Sequence, residues 1–309
     1  MYVPARTRTR HGKHMIEING AATVAVHGGA GGNRQDIDAC VAAAQAAQAA
    51  RAIFADGGQA LAAAVAAVTL LEDDGRFNAG SGSIFGLDGA TIEMDAAVMD
   101  TRGALGSVAC IRRVKNPVLV ARDVAASPHR MLCGEGALRF ARVGGHADYY
   151  QPSARAHSEH LAMAGALGSD PGPYGMLWNY ERPPPAGRSF ACDTVGAVVR
   201  GPDGHFAVAA STGGSAPALL GRVGDTPIVG SGFYAGVLGA VTVTGKGERI
   251  IPHMLAHSVY QWLLQGLHLD QALRRGLELF GPDDSIGIIA ITASQAGAAW
   301  SQEMPYAML

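Results

Sequence analysis

Cys192-Asp193-Thr194-Val195-Gly196-Ala197-Val198 marks the point where the texture of this 309-residue chain changes. Ahead of it, from about Gly144 to Phe190, Pro, Gly, His, Tyr and Ser alternate without sustained periodicity and end in Pro183-Pro184-Pro185. A structureless stretch of that length is commonly a functional segment or a linker, so about 144–190 reads as a flexible linker. Behind it a β pattern returns abruptly, with short apolar runs over 194–200, 206–211, 228–229 and 237–243. Thr194 thus stands where a pliable segment meets a strand.

Outward from that junction the chain reads as alternating layers. Ala22 to His27 is a short buried strand running into Gly28-Gly29-Ala30-Gly31-Gly32. Asp36 or Asp38 caps an Ala-rich helix that Asp56-Gly57-Gly58 breaks. Leu61 to Leu71 continues as a helix apolar on nearly every face, which predicts burial between layers. Phe77 to Gly89 is a glycine loop, and 91–100 with 105–114 are paired strands. Helices start near Pro117 and Pro128. Two more cover about 252–265 and 269–280 with a break at Gly266, and a final strand pair covers 286–292 and 297–300. This order predicts layered α/β architecture of the α+β type, with mostly antiparallel sheets.

Composition narrows the function. Hydrophobic residues are 48% and charged residues 16%, below the roughly 25% of an average domain, so the chain has ample apolar surface to bury. The formal charge of −2 lacks the basic excess of a nucleic-acid binder. Arg6, Arg8, Arg10, His11, Lys13 and His14 form one basic cluster, read as part of a disordered tail over 1–21 or as sequence upstream of a start at Met15. The apolar run Ala60 to Leu71 is too short to cross a membrane. Cys40, Cys110, Cys133 and Cys192 are widely spaced, which predicts free thiols in a reducing, cytoplasmic setting. Gly is 42 of 309, about twice the usual ~7%.

Familiar motifs fail on inspection. Gly29-Ala30-Gly31 is followed by Arg34 where a dinucleotide fingerprint needs its third Gly. Gly245-Lys246 lacks the upstream Gly and the following Ser or Thr of a phosphate loop. His253 and His257 have zinc-helix spacing, but Met254 replaces the general-base Glu. No Gly-x-Ser-x-Gly elbow occurs. What remains is a series of polar groups set among glycines at the ends of apolar runs: Ser211-Thr212-Gly213-Gly214, Gly221-Arg222-Val223-Gly224-Asp225 and Thr244-Gly245-Lys246-Gly247-Glu248.

With Thr194, His27-Gly28-Gly29-Ala30-Gly31 and Phe77-Asn78-Ala79-Gly80, these segments resemble the isoaspartyl peptidase / plant-type L-asparaginase family of N-terminal-nucleophile hydrolases, from about Ala22 to Ala299. The resemblance implies a four-layer αββα sandwich, with 22–309 as one domain. It implies an inactive precursor that cuts itself between Asp193 and Thr194 into an α subunit, 1–193, and a β subunit, 194–309. It further implies a dimer of αβ units acting on a small-molecule substrate, L-asparagine or a β-aspartyl dipeptide.

The chemistry of a freed Thr194 stands independently. A Thr hydroxyl is a poor nucleophile without an adjacent base, and a new α-amino group, with a reference pKa of about 7.7–8, supplies one. By resemblance Thr212 orients the nucleophile and Asn78 supports it. Arg222 and Asp225 hold the substrate's α-carboxylate and α-amino group, with Gly247 beside them. Thr244 and Gly245 stabilise the oxyanion. The backbone carbonyls of Leu71, Glu72, Asp74, Phe77, Ala79 and Ser81 correspond to a structural sodium site, and no cofactor is implied for catalysis. Two departures affect substrate preference: Ala218 stands where relatives often carry Lys, and Trp300-Ser301-Gln302-Glu303-Met304 replaces the usual Phe-Asn-Thr-x-Gly-Met. Glycosylasparaginase activity and a non-catalytic amino-acid-binding role on the same scaffold are the alternatives.

Overall fold

The computed structural model describes residues 12–30, 37–167, 194–216 and 218–309. Asp193 and Cys192, Gly31 and Gly32, Asp36, and the part of the expected linker from 168 onward lie outside the described residues. Among the described residues there are twelve strands. They are β1 Gly12–Glu17, β2 Thr23–His27, β3 Met94–Asp100, β4 Leu105–Ile111, β5 Met131–Cys133, β6 Thr194–Arg200, β7 Phe206–Thr212, β8 Phe233–Gly236, β9 Gly239–Gly245, β10 Ile286–Thr292, β11 Gln295–Trp300 and β12 Tyr306–Met308. The helices are α1 Ile37–Ala55, α2 Ala60–Asp74, α3 Pro117–Ala125, α4 Gly134–Val143, α5 Ala154–Leu167, α6 Gly247–Ile250, α7 Leu255–Leu264 and α8 Leu269–Leu277.

The strands form two sheets. One has seven strands in the order β12-β2-β6-β7-β3-β4-β5, the other five in the order β1-β11-β10-β9-β8. Every ladder is antiparallel except β4 with β5. Three apolar clusters account for the layering. Ala and Val side chains of α1, α2 and α3 pack on one face of the seven-stranded sheet, and α7 and α8 cover one face of the five-stranded sheet. Phe206, Val208, Phe233, Ile289 and Ile291 fill the space between the sheets. The result is the expected αββα sandwich. Fully burying a side chain of this size stabilises by roughly 1.5–3 kcal/mol, so strands buried on both faces read as unbroken apolar runs.

Several expectations are corrected. Residues 12–17 of the expected tail form β1, an edge strand paired along its length with β11. Met15 packs toward α8 and Ile16 toward the space between the sheets, an alternation that the neighbouring charges conceal. The expected linker contains α5, whose first turn is capped by Ser153 Oγ accepting the Ala156 N–H at 3.0 Å. No helix starts near Pro128. Ser127 and His129 close a turn there, and β5 follows before α4 begins at Gly134. The 228–229 strand reduces to a single bridge from Val229 to Phe233 inside a turn. The 237–243 run is divided by a hairpin turn that leaves Val237 exposed, with β9 starting at Gly239. Finally, α2 is buried on one side only, with Ala62 and Leu70 open. Its Ala-rich face lets it lie close on β6 and β7.

Candidate active site

Thr194 opens β6, an interior strand, and its cross-strand partner is Thr212 at the end of β7. Thr212 is in turn opposite Asp95 of β3. Directly opposed residues present their side chains to the same face, so Thr194, Thr212 and Asp95 form one row across three neighbouring strands. All three are buried. The Thr194 N–H donates to Thr244 Oγ1 at 3.2 Å, and that oxygen also accepts the Ala30 N–H at 3.4 Å. Thr194 Oγ1 lies 3.2 Å from Thr226 Oγ1.

The remaining groups arrive on loops that only small residues permit. Gly245 ends β9 with φ +146°, and a Cβ there would strike the Ser285 carbonyl oxygen. Asn78 donates from Nδ2 to the Gly214 carbonyl at 2.7 Å and accepts the Ile84 N–H at 3.3 Å, while its own carbonyl accepts the Gly213 N–H at 2.8 Å. It therefore fixes the turn that follows Thr212.

Arg222 directs Nε and Nη2 to the two carboxylate oxygens of Glu248, both at 2.9 Å. Its guanidinium passes between Gly224 and Gly247: added Cβ atoms would stand 2.8 Å from Nη1 and 3.0 Å from Nη2 respectively. Burial works to raise the Glu248 carboxyl, but its hydrogen bonds to Arg222 prevail and hold it below the usual range. Asp225 is 3% exposed, its Oδ2 has no hydrogen-bond partner among the described residues, and burial raises its carboxyl to about 7. A buried carboxyl with one open oxygen beside an Arg is suited to an α-amino acid, with the ionised Asp225 accepting from the ammonium and Arg222 facing the carboxylate. Thr194, Thr212, Gly214, Ser215, Arg222, Gly224, Asp225, Thr226 and Gly245 line one small cleft.

Sequence reading missed Asp95, Thr226 and Glu248. Asp95 accepts the Cys110 N–H at 2.8 Å and the Gly224 N–H at 3.4 Å, tying the Arg222–Asp225 loop to the sheet. A register shift between Met94 and Ala96 and the left-handed backbone of Cys110 (φ +49°) accompany this geometry. Burial raises Asp95 to about 6. His27 is the cross-strand partner of Gly196, and burial pushes its imidazole down to about 3, so the ring is neutral.

Ala218 lines a second hollow beside Ile84, Phe85, Glu93 and Arg222. The divergent C-terminal segment still packs inward, with Met304 fully buried, the Pro305 carbonyl accepting the Gly28 N–H at 2.9 Å, and β12 joining β2.

The residues expected to hold sodium surround the end of α2. Leu71, Glu72 and Asp74 belong to its last turn, whose carbonyls lack intrahelical partners and carry the negative end of the helix dipole. A Cβ on Gly80 would stand 2.7 Å from the Glu72 carbonyl oxygen, and one on Gly82 would strike that of Phe77. The Ala79 carbonyl already accepts the Gly82 N–H at 3.1 Å, and the Ser81 hydroxyl accepts that of Tyr149 at 3.2 Å. Carbonyls crowded at a helix C-terminus fit a monovalent cation. The Glu72 side chain itself turns away to accept the Val118 N–H at 3.0 Å, and burial raises it to about 8.

Comparison with known proteins identifies the family. The sequence profile of the asparaginase family matches residues 20–307. The chain is 38% identical over 254 residues to an isoaspartyl peptidase/L-asparaginase of Danio rerio, covering 81% of this chain and 78% of the relative. It is 38% identical over 249 residues to a plant-type L-asparaginase of Pyrococcus furiosus, covering 77% and 78%. It is 37% identical over 269 residues to an isoaspartyl peptidase of Salmonella typhimurium, covering 82% and 83%.

Proposed function

The chain belongs to the asparaginase family, and on that premise we propose that it is a self-processing amidohydrolase that releases L-aspartate from L-asparagine and β-aspartyl dipeptides. Its activity is that of an isoaspartyl peptidase/L-asparaginase. The nucleophile is Thr194, freed by a cut after Asp193. The observation that carries the reading is that Thr194, Arg222 and Asp225 line one cleft, with Asp225 Oδ2 left without a hydrogen-bond partner among the described residues.

The chemistry follows from the positions. Arg222 binds the substrate's α-carboxylate and Asp225 its ammonium, which sets the side-chain carbonyl carbon before Thr194 Oγ1. The freed α-amine of Thr194 takes the hydroxyl proton as the oxygen–carbon bond forms. Thr244 Oγ1 and the Gly245 N–H stabilise the charge on the carbonyl oxygen, a contribution commonly worth roughly 10²–10³ in rate per donor. The carbon–nitrogen bond breaks and the proton leaves on the departing nitrogen. Water then releases aspartate by the reverse sequence.

The proposal extends to a structural sodium ion on the α2-end carbonyls, to assembly as a dimer of αβ units, and to a reducing cytoplasmic setting. The support for the last is the free state of Cys40, Cys110 and Cys133. Among the described residues no helix is long and apolar enough to cross a membrane.

N-terminal sequencing of the smaller band on a denaturing gel tests the reading. It should begin at Thr194, and a Thr194→Ala variant should remain a single chain without activity. A fully cleaved protein that binds aspartate and turns over neither substrate would refute it.

A further inference from the structure

Thr226 has no role assigned by the family resemblance, yet its Oγ1 stands 3.2 Å from Thr194 Oγ1. We infer that Thr226 is a further catalytic residue, whose hydroxyl donates a hydrogen bond to Thr194 Oγ1 as that oxygen gives up its proton. The inference rests on Thr194 being the nucleophile.

Two observations converge on it. The first is confinement. Thr226 is 1% exposed and Thr194 3%, so water does not compete for the contact. Burying a hydroxyl is costly unless it is hydrogen-bonded, and the partner of this one is the nucleophile's own oxygen.

The second is rigidity. Two residues upstream, the Gly224 N–H is held by Asp95 Oδ2 at 3.4 Å. Downstream, Gly232 lies so close that a Cβ on it would stand 2.7 Å from the Thr226 Cα. The Ile228 N–H returns to the Asp225 carbonyl at 3.0 Å, closing the turn around Thr226. The hydroxyl is therefore presented from a fixed backbone, as a preorganised donor must be.

Donation is the direction the chemistry needs. The Thr194 proton passes to the Thr194 α-amine while Oγ1 bonds to the carbonyl carbon. The carbon–nitrogen bond then breaks, and the amine's proton leaves on the departing nitrogen. Thr226 gains and loses no proton throughout. Its hydrogen bond strengthens as negative charge develops on Oγ1 and so favours the transition state over the bound substrate.

Thr226→Val nearly preserves the shape of the side chain and removes the hydroxyl, so its melting temperature should stay within a few degrees of the parent. In cleaved protein, kcat for L-asparagine should fall about 10- to 100-fold, the worth of a hydrogen bond to a charged group. KM should stay within about twofold, because Arg222 and Asp225 are untouched. Self-cleavage should slow in parallel, and Thr226→Ser should restore both rates to within about threefold of the parent. Should the Val variant remain uncut, the cleavage rate is the readout, and its recovery in the Ser variant decides the question the same way. Val and parent proteins with equal kcat and equal cleavage, or a Ser variant no faster than Val, would overturn the inference. A parent protein that releases no aspartate from either substrate would refute the activity itself, and the role of Thr226 with it.

Discussion

Replacing Asp95 with Asn sets the cost of a buried carboxyl against the loop that it holds. Burial raises the Asp95 carboxyl from its ordinary 3.8 to about 6. The folded protein therefore holds this proton more tightly than the unfolded chain does. Its contribution to stability is full below pH 3.8 and is lost as the pH rises through 6. By pH 7 the loss amounts to about 3 kcal/mol. Asn does not titrate. Its amide oxygen can still accept the Cys110 N–H, but its amide nitrogen cannot accept that of Gly224, a loss of about 1–2 kcal/mol at any pH. The charge term is larger at neutral pH, so the variant should be more stable than the parent by about 1–2 kcal/mol at pH 7 and less stable by about 0.5–1.5 kcal/mol at pH 4. Urea unfolding in the uncut Thr194→Ala background measures this on one covalent chain. In the active background the freed Gly224 should loosen Arg222 and Asp225 and raise KM for L-asparagine by about tenfold, equivalent to the lost bond. A stability difference that is the same at pH 4 and pH 7, or an unchanged KM, would refute the argument.

Gly247→Ala would set a Cβ 2.9 Å from both Asp225 N and Gly224 Cα, where only backbone can yield. Overpacking of this kind costs about 1–3 kcal/mol, and steady-state kinetics should show it as a raised KM with a smaller change in kcat. Asp225 is raised to about 7 by burial, so in the free enzyme it is protonated below that pH and cannot pair with an ammonium. Below pH 7 both Asp225 and the Thr194 α-amine take up a proton, so kcat/KM for L-asparagine should fall by up to about 100-fold per pH unit, while kcat/KM for an analogue lacking the α-amino group should fall only about tenfold; equal slopes would count against the pairing. Deleting residues 1–17 removes β1 and the packing of Met15 and Ile16. At about 1–2 kcal/mol for each half-buried side chain, the melting temperature should drop by roughly 5 °C in a thermal scan.

The parts of the fold legible in the sequence were those in which one segment carries its own signal. Strands β6, β7, β10 and β11 are buried on both faces and read as apolar runs, and Gly266 marks the end of α7 with φ +88°. β1 was illegible because Lys13, His14 and Glu17 flank its few apolar residues, and its partner β11 lies at the far end of the chain. β12 has only three residues, and α5 is obscured by His157, Ser158 and His160 within its helical run. The same division runs through the site. Thr194, Thr212 and Thr244 fall at or near strand ends beside glycines, where the eye is drawn. Asp95 lies inside an apolar strand, and Thr226 and Glu248 adjoin residues already noticed. Their significance comes from contacts with Gly224, Thr194 and Arg222, across sequence distances that no local pattern encodes.

The strand order has a mechanical consequence for a chain cut ahead of Thr194. In the larger sheet, β2 of the first fragment is inserted between β12 and β6 of the second, while β7 of the second is zipped to β3 of the first. In the smaller sheet, β1 of the first fragment borders four strands of the second. Two pieces woven in this way cannot drift apart by dissolving a single interface, because separation means unravelling both sheets. Such a break would be a nick in a fabric: it would yield a new chain end in the middle of the weave and leave the cloth whole.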